Sequence, residues 1–128
     1  MYHYIRLLRI AYTVIKKYDP KGYIIPGGLG YQSFLDVILR HTDNPNGGKV
    51  SGEFPLRGGA YFDTLSMHNY PQYGTRYYAN GQWIPDRHSD KAVSVFLESH
   101  ESFAAVLAKH GYGTKFSAKP YIITEMNR

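Results

Sequence analysis

Ala60-Tyr61-Phe62-Asp63-Thr64-Leu65-Ser66-Met67 decides how the rest of the chain is read. Its aromatic and long apolar residues surround Asp63, Thr64 and Ser66 without a glycine or proline, which fits a strand buried within a sheet. Downstream, His68 to Arg87 carries Pro71, Gly74, Asn80 and Gly81 and reads as a loop. Ser89 then opens a long helix, with Val93, Phe96, Leu97, His100, Phe103, Ala104 and Leu107 as its apolar stripe and Gly111 as its stop. Beyond Lys119-Pro120, the run Tyr121-Ile122-Ile123-Thr124 reads as another buried strand, ending in Glu125.

Working upstream, Thr42 to Gly59 holds Asp43-Asn44-Pro45-Asn46-Gly47-Gly48 and Arg57-Gly58-Gly59, a long connection that reads as an insertion. Before it, Ser33 can cap a helix whose face is Phe34, Val37, Ile38 and His41. Tyr23-Ile24-Ile25, closed by Pro26-Gly27-Gly28, reads as one more buried strand. From Tyr4 onward, Leu7, Leu8, Ala11, Val14, Ile15 and Tyr18 recur with helical spacing while Arg6, Arg9, Thr13, Lys16 and Lys17 lie off that stripe. Asp19-Pro20 ends this first helix. The order αβαβαβ predicts a single α/β domain over residues 1–128 with a parallel three-stranded sheet, its function at the C-terminal strand ends.

A chain of 128 residues is one domain in size and falls well short of the roughly 250 residues of a complete (β/α)₈ barrel, so any barrel reading makes it partial. Hydrophobic residues at 43% and charged residues at 20% supply a real core and exclude disorder. The absence of cysteine excludes disulfides, thiolate metal sites and a thiol nucleophile. The net charge of +5 is dispersed over positions such as Arg6, Lys16, Arg57, Arg76 and Lys91, which argues against nucleic-acid binding. Thirteen tyrosines, six phenylalanines and one tryptophan raise aromatic content to 16%, and tyrosine's apolar face and polar tip suit sugars and wet interfaces. The apolar N-terminal stretch is interrupted by Arg6 and Arg9 and lacks a small-residue cleavage site, so it does not read as a signal peptide. No run approaches a membrane span, and the compartment stays open.

Among candidate sites, Gly27-Gly28-Leu29-Gly30 lacks the spacing of a dinucleotide fingerprint and the lysine of a P-loop, and reads first as a tight turn between strand and helix. No Gly-x-Ser-x-Gly elbow is present. His88-x-Asp90 and the pair His100 and His110 match no strong metal spacing, so no metal or cofactor is assigned. Glu125 differs, because a carboxylate directly after an apolar strand either projects into the functional face or caps and pairs locally. His68 and Tyr70, two residues apart, point the same way if the extended geometry persists through Asn69. An imidazole and a phenol there can hold a carboxylate ionised and aimed, as a nucleophile requires.

Tyr61-Phe62-Asp63-Thr64-Leu65-Ser66-Met67-His68-Asn69-Tyr70-Pro71 and Tyr121-Ile122-Ile123-Thr124-Glu125-Met126-Asn127 resemble the sixth and seventh strands of clan-A glycoside hydrolases. In those retaining (β/α)₈ enzymes an "aromatic-Asp-x-x-Ser-x-His-x-Tyr" strand precedes one ending in "Thr-Glu", whose glutamate is the nucleophile. Tyr23 to Gly28 corresponds to strand five and the opening helix to the one after strand four. The resemblance implies a partial barrel with Glu125 as catalytic nucleophile and His68, Asn69, Tyr70, Trp83 and Asn127 as carbohydrate-binding residues. The family's acid/base glutamate, at the end of strand four, has no counterpart here. Retaining hydrolysis needs two carboxylates about 5 to 5.5 Å apart, and Glu53, Glu98 and Glu101 are not natural substitutes, so the chain alone is expected to be inactive.

In the loop after His68, Tyr73, Tyr77, Tyr78 and Trp83 either stack on sugar faces, helped by Asn69, Asn80 and Gln82, or anchor the loop. Two other classes of function stay open: a non-catalytic α/β domain that self-associates or binds carbohydrate, and a flavodoxin-like nucleotide-binding domain. Unpaired sheet edges in a partial barrel predict a homo-oligomer.

Overall fold

A computed structural model describes residues 1–70, 76–85, 88–113 and 118–126. The chain is mixed α/β, with α1 (Tyr2–Tyr18), α2 (Gln32–Arg40), β1 (Leu65–Asn69), β2 (Arg76–Ala79), β3 (Gln82–Pro85), α3 (His88–Lys109) and β4 (Tyr121–Met126). Strands β1 and β4 pair in parallel, and β2 and β3 form a separate antiparallel hairpin. The core lies where Leu35, Ile38 and Leu39 of α2 and Phe103 and Leu107 of α3 meet Leu65 and Met67 of β1, with Tyr61 and Phe62 alongside. No helix among the described residues is long and apolar enough to cross a membrane.

Among the described residues the parallel sheet has two strands rather than the expected three. Tyr23–Ile25 forms no ladder among the described residues, and only Ile24 of it is buried. It nevertheless lies beside β1: the Ile24 carbonyl accepts from the Asp63 amide at 2.8 Å, and Leu29 bridges Met67 in parallel. Pro26 has no N–H to donate, and Gly27-Gly28 adds no side chains to pack, so among the described residues the backbone bonds from residues 23–29 to 63–68 are those of Ile24 and Leu29. Strand β4 also departs from expectation. It pairs with β1 on one edge, yet Ile122, Ile123 and Thr124 are exposed rather than buried.

On α1, Ile5 and Leu8 are buried and Tyr12 meets the Tyr61 ring edge-on at 5.9 Å, whereas Leu7, Val14, Ile15 and Tyr18 of the expected stripe are exposed. The inward face includes two of the cations. Arg9 pairs with Asp43 at 2.6 Å and lies over the Phe54 ring, and Lys16 pairs with Asp63 at 2.9 Å. Long basic side chains can lay their stems on apolar surface and carry their charge to a partner, so polarity misassigns this face.

Helix α2 begins at Gln32 after Tyr31, with no side-chain cap, so Ser33 does not serve as the cap. Helix α3 ends as expected: Gly111, at φ 87°, donates to Ala108, and Tyr112 donates to Leu107, the paired bonds of a Schellman motif. Only the second half of its stripe is buried, since Val93 and Leu97 are exposed. The connection over 42–59 folds back on α2, where a Cβ on Gly58 or Gly59 would overlap the carbonyls of Leu39 and Ile38. The expected loop after His68 contains the β2–β3 hairpin, turned by Asn80 and Gly81 at φ 51° and 79°. Two adjacent positive-φ residues are what a two-residue hairpin turn needs.

Candidate functional site

The C-terminal ends of β1 and β4 bring His68, Tyr70 and Glu125 together. Pairing runs Ser66 to Ile122 and Met67 to Ile123, then shifts so that His68 faces Glu125 rather than Thr124. This irregularity admits one extra residue in β4, and without it the two-residue alternation would turn Glu125 to the helix side of the sheet. The Thr124 hydroxyl instead bonds that of Ser66 at 2.6 Å, fixing the extra residue in place.

His68 Nδ1 lies 3.4 Å from Glu125 Oε2 and 3.3 Å from the Tyr70 hydroxyl. One ring nitrogen cannot donate to both. A consistent assignment has Nδ1–H and the Tyr70 O–H both donating to the Glu125 carboxylate. The phenol of Tyr70 is accordingly held above its ordinary range, first by the hydrogen bond to Glu125 and then by desolvation. Glu125 remains open, with its side chain 57% exposed against 25% for His68, so an incoming group has access to the carboxylate. Chemically, this is a carboxylate aimed by two donors, with no lysine or arginine paired to it among the described residues.

The imidazole is seated by a residue read only as part of a turn. A Cβ on Gly28 would overlap the His68 ring at Nε2, so the ring occupies the space that glycine leaves. Within the same glycine segment, the Gly27 amide donates to the Tyr4 hydroxyl at 3.2 Å and the Leu29 amide donates to the Ser66 carbonyl at 3.1 Å, so these two groups are committed to the fold.

Asn69, by the alternation of β1, turns away from His68 and Tyr70; it is 2% exposed and its side-chain nitrogen has no hydrogen-bond partner among the described residues. Trp83 sits on the hairpin, 65% exposed, and meets the Tyr78 ring edge-on at 5.3 Å. Asn127 and Tyr73 lie outside the described residues. Glu53, Glu98 and Glu101 are exposed, and none is hydrogen-bonded to the Glu125 group among the described residues. No three His, Asp or Glu side chains gather as metal ligands among the described residues. Comparison of the chain with family models, curated proteins and solved structures finds no match.

Proposed function

We propose that this chain carries the nucleophile half of a retaining glycoside hydrolase site within a partial (β/α)₈ barrel. Glu125 is the nucleophile, and His68 and Tyr70 position it. The observation that carries this reading is the shifted register that places Glu125 opposite His68 at the C-terminal end of the parallel pair. That end is where (β/α)₈ enzymes build their sites. The resemblance to clan-A hydrolases over residues 61–71 and 121–127 supports the same assignment. A second carboxylate, contributed by polypeptide beyond these 128 residues, protonates the leaving oxygen in the complete site.

A substrate with a leaving group that departs without protonation tests the nucleophile half alone. With a dinitrophenyl glycoside, a Glu125 carboxylate oxygen attacks the anomeric carbon, forming a glycosyl ester, while the bond from the anomeric carbon to the aryl oxygen breaks and dinitrophenolate leaves with that oxygen and the electron pair. Mass spectrometry is expected to show one added glycosyl unit on the peptide containing Glu125, absent from Glu125→Gln. An adduct unchanged by Glu125→Gln, or none across a panel of glycosyl configurations, would remove the assignment.

A carbohydrate-binding reading draws on a different observation, the exposed Tyr78–Trp83 pair, which presents aromatic surface of the kind that takes a sugar face. It is compatible with the first. The chain is also expected to self-associate through the exposed strand β4 and helix faces.

A further inference from the structure

Helices that cross between parallel strands run antiparallel to them, so the C-termini of α2 and α3 lie at the end of the sheet away from Glu125. There Arg40, Arg57, Lys109 and His110 surround a cavity of about 560 Å³, much of whose remaining wall is glycine backbone. Gly47, Gly48, Gly58 and Gly111 all have positive φ, at 65°, 83°, 63° and 87°. Among the described residues a Cβ on Gly47 would meet nothing within 4 Å, so the wall stands open there. Among the described residues the amides of Gly47 and Gly48 donate no hydrogen bond. Successive amides in a turn form a concave cradle for anions.

The charges agree with the shape. Asp36 faces the cations, accepting from Lys109 and His110 at 2.9 Å each and lying 3.9 Å from Arg40. Three permanent cations against this one carboxylate leave an excess of two positive charges. The two helix C-termini return at most about half a negative charge each, which does not cancel it. Arg57 makes no ion pair among the described residues, and its planar fork matches an oxyanion through two parallel hydrogen bonds. The volume exceeds that of a lone oxyanion and falls within the range of small-molecule sites.

We propose that this cavity binds a phosphate group, free or carried by a small molecule, with Arg57 as anchor and Arg40, Lys109 and the Gly47 and Gly48 amides completing the contacts. The inference does not depend on the role of Glu125. Calorimetric titration of the 128-residue chain with inorganic phosphate, with glucose 6-phosphate and with glucose tests it. Saturable binding of both phosphates and none of glucose is expected, weakened at least about tenfold in Arg57→Ala, less in Arg57→Lys, and unchanged in Glu125→Gln. Tighter binding of the sugar phosphate than of phosphate supports a phosphorylated small molecule as the occupant; equal binding supports the free ion. Should Arg57→Ala fail to fold by circular dichroism, Arg40→Ala, whose side chain is 59% exposed, is expected to weaken phosphate in the same direction. Lack of saturable binding by the wild-type chain, affinity unaltered in both arginine variants, or equal binding of glucose overturns the proposal.

Discussion

His68 is held from two sides, by the backbone of Gly28 beneath its ring and by Glu125 at Nδ1. Gly28→Ala is therefore expected to push the imidazole off its seat. Misplacing a positioning group by about 1 Å can cost on the order of 100-fold in rate, and overpacking costs about 1 to 3 kcal/mol of stability. Glycosyl-adduct formation at Glu125 should fall at least about tenfold, together with changed chemical shifts of the His68 ring by NMR. Unaltered adduct yield and ring chemical shifts would show that Gly28 does not seat the ring. Part of this arrangement was legible beforehand. The spacing of His68 and Tyr70 put both side chains on one face, and their ring centroids are 5.7 Å apart. Gly28 was legible only as a turn residue, because its role depends on which side chain arrives from forty residues downstream. Nothing in Thr124-Glu125 announced the extra residue either, since a register shift depends on both strands, not on one.

Between elements, α2 and α3 are tied by Asp36, which meets Lys109 at 2.9 Å and His110 at 2.9 Å. The hydrogen bonds from His110 and Lys109 hold its carboxyl down from 3.8 to about 2. A depressed carboxylate contributes stability above its unfolded pKa and loses it as pH falls through the folded value. The contribution from Asp36 is thus complete above 3.8 and gone below about 2. The denaturation midpoint of Asp36→Asn should lie below that of the wild type at neutral pH, with the two converging as acid is added through that window. A gap that persists below it would assign the effect to packing, not charge. Element boundaries followed the sequence well where local chemistry acts alone, as at Asp19-Pro20 and Gly111. They failed where tertiary contact decides: α1 turns Arg9 and Lys16 inward because Asp43 and Asp63 wait there. The hairpin is a different case, since Asn80-Gly81 between Tyr77-Tyr78-Ala79 and Gln82-Trp83-Ile84 is a strong local turn signal.

For the whole molecule, the apolar surface is the unbalanced quantity. Ile122, Ile123 and Met126 on β4, Leu7, Val14 and Tyr18 on α1, and Val93 and Leu97 on α3 are all exposed. Covering about 300 Å² of such surface yields on the order of 7 kcal/mol gross at 25 cal/mol per Å². Association costs about 4 to 15 kcal/mol, so one of these faces alone is marginal and two together suffice. Strand β4 adds a second drive, because its outer edge faces no strand among the described residues and backbone groups there can pair with another chain. A homo-oligomer closed through β4 with a helix face beside it is the expected state. Light scattering at micromolar concentration should report more than one copy, and the unfolding midpoint should rise with protein concentration. Ile122→Lys, at an exposed position on β4, should shift the population toward monomer without loss of helical circular dichroism. A folded monomer whose cooperative unfolding is independent of concentration would show that these faces are stable in water, and would count against the partial-barrel reading from which the open edge follows.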